Sequence, residues 1–173
     1  MTATAANDPD GVIRRPGGSA QFGMLILLLA LCAAAGLASS AVTRPAVATW
    51  YQDLATPPWT PPDLAFPVVW AALYVLMGVA AWQAWRSAAH AAAGALVPFL
   101  IQLALNGVWP YVFFGMKNFE LGFVVTLALI PAVLATTVAF AQRSRLAAWL
   151  MVPYCLWVIY AMTVNAGVVW LTA

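Results

Sequence analysis

Three amides interrupt otherwise apolar stretches of this chain: Gln102 and Asn106, one helical turn apart, and Asn165 near the end. An amide in hydrocarbon must find a hydrogen-bond partner, so all three are expected to face the interior of a helix bundle. Two roles are open to them. They could join helices, at about 0.6–2 kcal/mol each, or they could orient a ligand. Rings at helical spacing surround them. Phe66, Trp70 and Tyr74 recur every four residues, which stacks them on one helix face. Trp109 and Phe113 extend the stripe of Gln102 and Asn106, and Tyr154, Trp157, Ala161 and Asn165 form a third. A cavity mixing several rings with a few polar groups suits a large, flat, apolar ligand. The same stripes would also serve as plain packing.

Other chemistry has little to work with. The apolar stretches offer no buried carboxylate pair, no serine–histidine–aspartate candidate and no glycine-rich phosphate loop. The single histidine, His90, follows Arg86 in a short turn and lacks a second ligand for haem iron, so a solvated role is expected and no metal site is assigned. Cys32 and Cys155 lie in apolar runs without the paired spacing of a zinc or redox motif and read as reduced packing residues.

Between Trp50 and Pro62 the pattern changes. Pro57, Pro58, Pro61 and Pro62 forbid a continuous helix, since each removes an amide donor and restricts its predecessor. The segment is expected to be stiff and extended. Its Trp50, Tyr51 and Trp59 would either anchor at the headgroup level or fold over the helix ends as a lid. An ion pair among Arg44, Asp53 and Asp63 would add little to such a closure.

The elements that must hold these residues follow from composition. Of the 173 residues 65% are hydrophobic and 7% charged, against about 25% charged in a soluble domain. The expectation is an all-α membrane protein with five transmembrane helices in a single bundle and a long Pro/Trp-rich first loop. Hydropathy breaks put the spans at about 22–42, 64–85, 91–114, 120–141 and 146–171, each close to the length a bilayer requires. Short connections after the second, third and fourth spans make consecutive helices antiparallel.

Residues 1–20 are polar and read as a disordered tail. The apolar run behind Arg14 and Arg15 is longer than a secretory signal, so it reads as a retained first helix. Arg14, Arg15, Arg86, Arg143 and Arg145 would share one side, against Arg44 and Lys117 on the other, which puts the N-terminus in the cytoplasm and, for helical spans, favours the inner over the outer membrane. A formal net charge of +2 from so few ionised groups gives no clustered basic face for nucleic acid. There is no repeat of the kind that marks many secondary transporters. Small residues on the first span, Ala34, Ala35, Gly36, Ala38 and Ser39, permit close helix approach, including that of a second copy.

The motifs, taken in order, resemble a known family. Trp50-Tyr51-x-x-Leu54, Pro58-Trp59-x-Pro61-Pro62 and Phe66-Pro67-x-x-Trp70-x-x-Leu73-Tyr74 look like the first loop and second helix of the TspO/translocator protein family. Gln102-Leu103-x-Leu105-Asn106-x-x-Trp109, Phe113-Phe114-Gly115 and Pro153-Tyr154-x-x-Trp157-x-x-x-Ala161-x-x-x-Asn165 continue it to the C-terminus. The resemblance implies a five-helix fold that commonly dimerises, with a site closed by the first loop and porphyrin, haem or other apolar molecules as ligands rather than required cofactors. It points to Tyr51, Trp59, Phe66, Trp70, Tyr74, Gln102, Asn106, Trp109, Tyr154, Trp157 and Ala161 as the ligand-binding set. Trp70 and Trp157 match the tryptophans the family associates with porphyrin handling, including proposed light-dependent degradation.

Two departures bear on the ligand. Thr56 stands where many relatives carry a lysine, removing a cation that could meet a carboxylate. Ala166-Gly167-Val168-Val169-Trp170 lacks the tyrosine and arginine of the cholesterol motif of animal relatives. Three functions therefore compete: a tetrapyrrole-binding receptor, sensor or translocator; a light-dependent porphyrin-degrading enzyme using Trp70 and Trp157; and a structural or partner-binding membrane subunit.

Overall fold

The computed structural model describes residues 17–87 and 92–173. The polar start of the chain and His90 lie outside the described residues. Among those described, five helices are long and apolar enough to cross a membrane, and there is no strand. They are α1 (Gly18–Val47), α2 (Ala65–Arg86), α3 (Ala92–Pro110), α4 (Phe119–Ala141) and α5 (Arg145–Thr172). A single 3-10 turn, Trp50–Asp53, follows α1, and α3 runs on into a π-helical turn, Tyr111–Gly115.

The first helix outruns its apolar stretch at both ends. Gly18 to Ala20, polar enough in sequence to be counted with the tail, open α1, and the helix passes through Pro45 before ending at Val47. Pro45 lies in the last turn and lacks the N–H that would bond to the Ala41 carbonyl, and the helix runs only two residues beyond it. Thr49 Oγ1 then donates back to the Pro45 carbonyl (2.7 Å). Asn118 and Ser144 cap α4 and α5, accepting from Leu121 N (2.9 Å) and Ala147 N (3.3 Å). Pro98, Pro131 and Pro153 sit within helices, as bundle neighbours permit in membrane segments.

The helices close a ring in which α1 packs on α2, α2 on α5, α5 on α4, α4 on α3 and α3 on α1. α2 and α3 also touch, but the more extensive partners of α2 are α1 and α5. Small residues decide the tightest approach. A Cβ added at Gly78 would come within 2.8 Å of Leu29 Cδ2 and 3.3 Å of its Cα, and one at Gly36 within 2.9 Å of the Tyr74 ring. Gly36 is thus used inside the chain, against α2, while Ala34 and Ala38 of the same helix face outward. At the far end Trp82 Nε1 donates to the Gln21 carbonyl (2.9 Å), and Arg86 lies 4.6 Å over the Trp82 ring.

The core is apolar, with Met77, Phe99, Phe140, Met151 and Tyr154 fully buried. The outer surface is apolar as well: Phe22, Leu37, Val68, Leu156 and Trp170 are exposed. Exposed rings mark the two ends of α5, Trp149 and Trp170. Their 21-residue separation is about 31 Å of helix, close to the thickness of a hydrocarbon core. This is the surface of a protein dissolved in lipid, with aromatic residues at the two interfaces.

Candidate functional site

The three stripes converge at the end of the bundle where the first loop lies, and they descend inward together. Phe66, Trp70 and Tyr74 on α2, Trp109, Asn106 and Gln102 on α3, and Ala161, Trp157 and Tyr154 on α5 each step about one turn deeper. The site divides into two levels.

The upper level is a cavity of about 40 Å³. Phe66, Trp157, Tyr160 and Ala161 form one side; Trp109, Phe113 and Phe114 form the other; Tyr51 and Pro61 of the loop close it; Asn165 and Val164 complete the wall. Phe66 meets Trp157 edge-on at 6.1 Å, and Trp157 meets Tyr160 at 5.7 Å. Trp109 stacks on Phe113 at 4.9 Å and 24°.

The π-helical turn builds this second side. Met116 N bonds to the Tyr111 carbonyl (2.9 Å), five residues back, and the wider turn gathers both i+4 and i+5 neighbours of Trp109 against it. Phe114 therefore reaches Trp109 (5.7 Å) and Tyr51 (5.5 Å) as well. Tyr51 is buried among these rings. Its phenol is pushed above the ordinary value, first by burial and then by the carboxylate of Asp63.

The lower level is polar and filled. Asn106 Oδ1 accepts from the Tyr74 hydroxyl (3.3 Å) and its Nδ2 donates to the Tyr154 hydroxyl (2.8 Å). One amide thereby joins α2, α3 and α5. Trp70 lies on both tyrosine rings, 5.6 Å from Tyr74 and 6.2 Å from Tyr154. Gln102 is fully buried; its Nε2 reaches Met77 Sδ at 3.8 Å and its Oε1 has no partner.

The first loop is tied down at several points. Gln52 Nε2 donates to the Asp63 carboxylate (2.7 Å) and to the Val47 carbonyl (3.0 Å). Lys117 Nζ sits 4.9 Å over the Trp50 ring. The Tyr160 hydroxyl donates to the Trp59 carbonyl, and Pro57 rests directly on Gly167.

Of the residues singled out in sequence, Tyr51, Phe66, Trp109, Trp157 and Ala161 line the cavity. Trp70, Tyr74, Gln102, Asn106 and Tyr154 form or surround the polar level beneath it. Trp59 does neither. Its side chain is half exposed and lies in a separate, almost wholly apolar groove of about 530 Å³ between the loop and the outer face of α5, with Pro58, Met162 and Trp170. Asn165 and Phe113, present in the stripes but absent from the expected ligand set, belong to the cavity, as do Phe114 and Tyr160. The four-residue spacing from Ala161 pointed to Asn165; nothing in the spacing pointed to Tyr160. Among the described residues no group of three or more His, Cys, Asp or Glu could hold a metal.

Comparison with known proteins decides the lineage of this architecture. The TspO/MBR family model matches residues 28–171. The chain belongs to the TspO/MBR family. Its relatives include the tryptophan-rich protein TspO of Chlorobaculum tepidum, 37% identical over 145 residues that cover 82% of this chain and 90% of that protein. The tryptophan-rich sensory protein of Cereibacter sphaeroides is 35% identical, covering 82% and 87%. The translocator protein of Homo sapiens is 39% identical over 119 residues, covering 67% and 70%. Membership and the five spans together make this member of the TspO/MBR family an integral membrane protein.

Proposed function

We propose that the protein is a membrane receptor, sensor or translocator that takes tetrapyrroles such as protoporphyrin IX or haem, and other flat apolar molecules, between α2, α3 and α5 beneath the first loop. The observation that carries this reading is the cavity itself: rings from three helices and a π turn, under a proline-stiffened loop held by a few contacts. Rings at these separations stack on a flat ligand at about 0.5–1.5 kcal/mol each. The present volume is far below the roughly 300–1,000 Å³ of small-molecule pockets, so the ligand enters as the loop lifts.

The inner membrane with a cytoplasmic N-terminus is the proposed setting, supported by the arginine excess at the end of the bundle opposite the first loop. The exposed outer face of α1, with Ala34, Leu37, Ala38 and Ala41, is close enough in character to a helix-pairing surface to support a homodimer.

The test is a dark titration of the purified protein with protoporphyrin IX, followed by porphyrin absorbance. Ala161→Phe should abolish saturable binding by filling the cavity, and Trp157→Ala should weaken it about 2- to 13-fold for the loss of one stacking partner. Saturable binding that Ala161→Phe leaves intact would place the ligand elsewhere and refute the assignment.

A further inference from the structure

Two residues that line the cavity each bury a polar atom without a hydrogen-bond partner: Nε1 of Trp109 and Oδ1 of Asn165. Asn165 is only 2% exposed, and unsatisfied buried polar groups are rare in native proteins because they are costly. The orientation of the Asn165 amide follows from its neighbours. The Thr126 hydroxyl uses its one proton on the Gly122 carbonyl (3.0 Å), so towards Asn165 it can only accept. Asn165 must then turn its NH2 to Thr126 (3.0 Å), which leaves the carbonyl oxygen as the free acceptor.

Trp109 offers a donor only. Its Nε1 lies 3.7 Å from where a Cβ on Gly122 would be, and Gly122 is also the end of the Asn165–Thr126 chain. A free donor and a free acceptor thus flank one point on α4. The ring stacked on Phe113 holds the donor in place.

We propose that Trp109 and Asn165 are a recognition pair for the neutral cis-amide edge of a lactam ring: the lactam carbonyl accepts from Trp109 Nε1 and the lactam N–H donates to Asn165 Oδ1. This rests on the tetrapyrrole reading and narrows it to open-chain tetrapyrroles with terminal lactams. A closed macrocycle keeps its N–H groups at the ring centre and shows only carboxylates or carbon at its edge. A carboxylate would meet the lone pairs of Asn165, and no Lys, Arg or His lines the cavity to neutralise it.

The experiment titrates the full chain in detergent with biliverdin dimethyl ester and, separately, protoporphyrin IX dimethyl ester, following each ligand's own absorbance. Both esters lack carboxylates, and only the first has lactams. Trp109→Phe keeps the stacked ring and removes the donor; Asn165→Leu removes the acceptor together with the tie to Thr126. The expected result is that each variant weakens bilin binding about fivefold to tenfold more than it weakens porphyrin binding. Should Asn165→Leu fail to fold, Trp109→Phe alone decides. If both esters bind the wild type but Trp109→Phe weakens neither, or both equally, the pair merely holds a water and the proposal falls while the tetrapyrrole reading stands. If neither ester binds the wild type, both fall.

Discussion

A tetrapyrrole is many times larger than a cavity of about 40 Å³, so the contacts that hold the first loop against α5 should control how fast a ligand enters. One is polar, the Tyr160 hydroxyl on the Trp59 carbonyl. Tyr160→Phe removes it while keeping the ring beside Trp157. A typical intramolecular hydrogen bond contributes about 0.5–1.5 kcal/mol net, which is about 2- to 13-fold in the ratio of closed to open loop. Trp59 is 51% exposed, so its carbonyl can regain a partner from interfacial water, and the lower half of that range is expected. The second contact is steric: a Cβ at Gly167 would lie 2.7 Å from Pro57 Cγ and 3.0 Å from its Cβ. The proline ring cannot rotate away, so Gly167→Ala should lift the loop further than Tyr160→Phe does. Stopped-flow mixing with protoporphyrin IX should show the association rate rising in both variants. Amide exchange across residues 50–64 should accelerate by a similar factor. Faster exchange with an unchanged association rate would refute the loop as the gate.

Other perturbations follow from the same contacts. Asn106→Leu leaves the Tyr74 and Tyr154 hydroxyls without their shared amide and should destabilise the bundle by about 1–3 kcal/mol, read as a lower Tm in detergent; an unchanged Tm would show that the tyrosines find other partners. Gly78→Ala should cost about 1–3 kcal/mol through overpacking against the Leu29 side chain and backbone. Gly94→Ala, with nothing within 4 Å of the new methyl, should be neutral or up to about 1 kcal/mol stabilising, and equal melting of the two variants would contradict the packing argument. Tyr51 holds its proton more tightly in the folded loop than its ordinary value of 10.0. Loop docking should therefore be independent of pH up to about 9 and weaken above 10, as the undocked phenol ionises first. Tyr51→Phe should remove that alkaline loss in an exchange experiment.

The five helices were legible in the sequence because lipid imposes one strong rule: every backbone group must be satisfied within its own segment, so apolar runs of sufficient length become helices. Their ends were less legible. Hydropathy stops α1 near Val42, but a helix can extend into the interface wherever its backbone stays hydrogen-bonded, and α1 continues through Arg44 and Pro45 to Val47. Helical periodicity also put Phe66, Trp109, Trp157 and Ala161 on faces that do meet, since residues four apart share a side of any helix.

What periodicity could not supply was depth, register and the partner across the gap. Gln102 and Trp109 lie on one stripe, yet one is sealed against Met77 and the other lines the cavity, because the loop end of the bundle opens only over its last turn or two. Phe114 enters the site through the π turn, which shifts the face a residue presents by inserting an extra residue into the helical turn. Tyr160 enters through a loop carbonyl 101 residues earlier in the chain. The sequence by itself determined solvent, span count and which helix faces carry rings and amides, all of which depend on local composition and a fixed 3.6-residue period. Only the tertiary structure decided which of those groups are paired and which, like the Asn165 carbonyl, are left free, because each depends on hydrogen bonds between helices that the chain brings together from far apart.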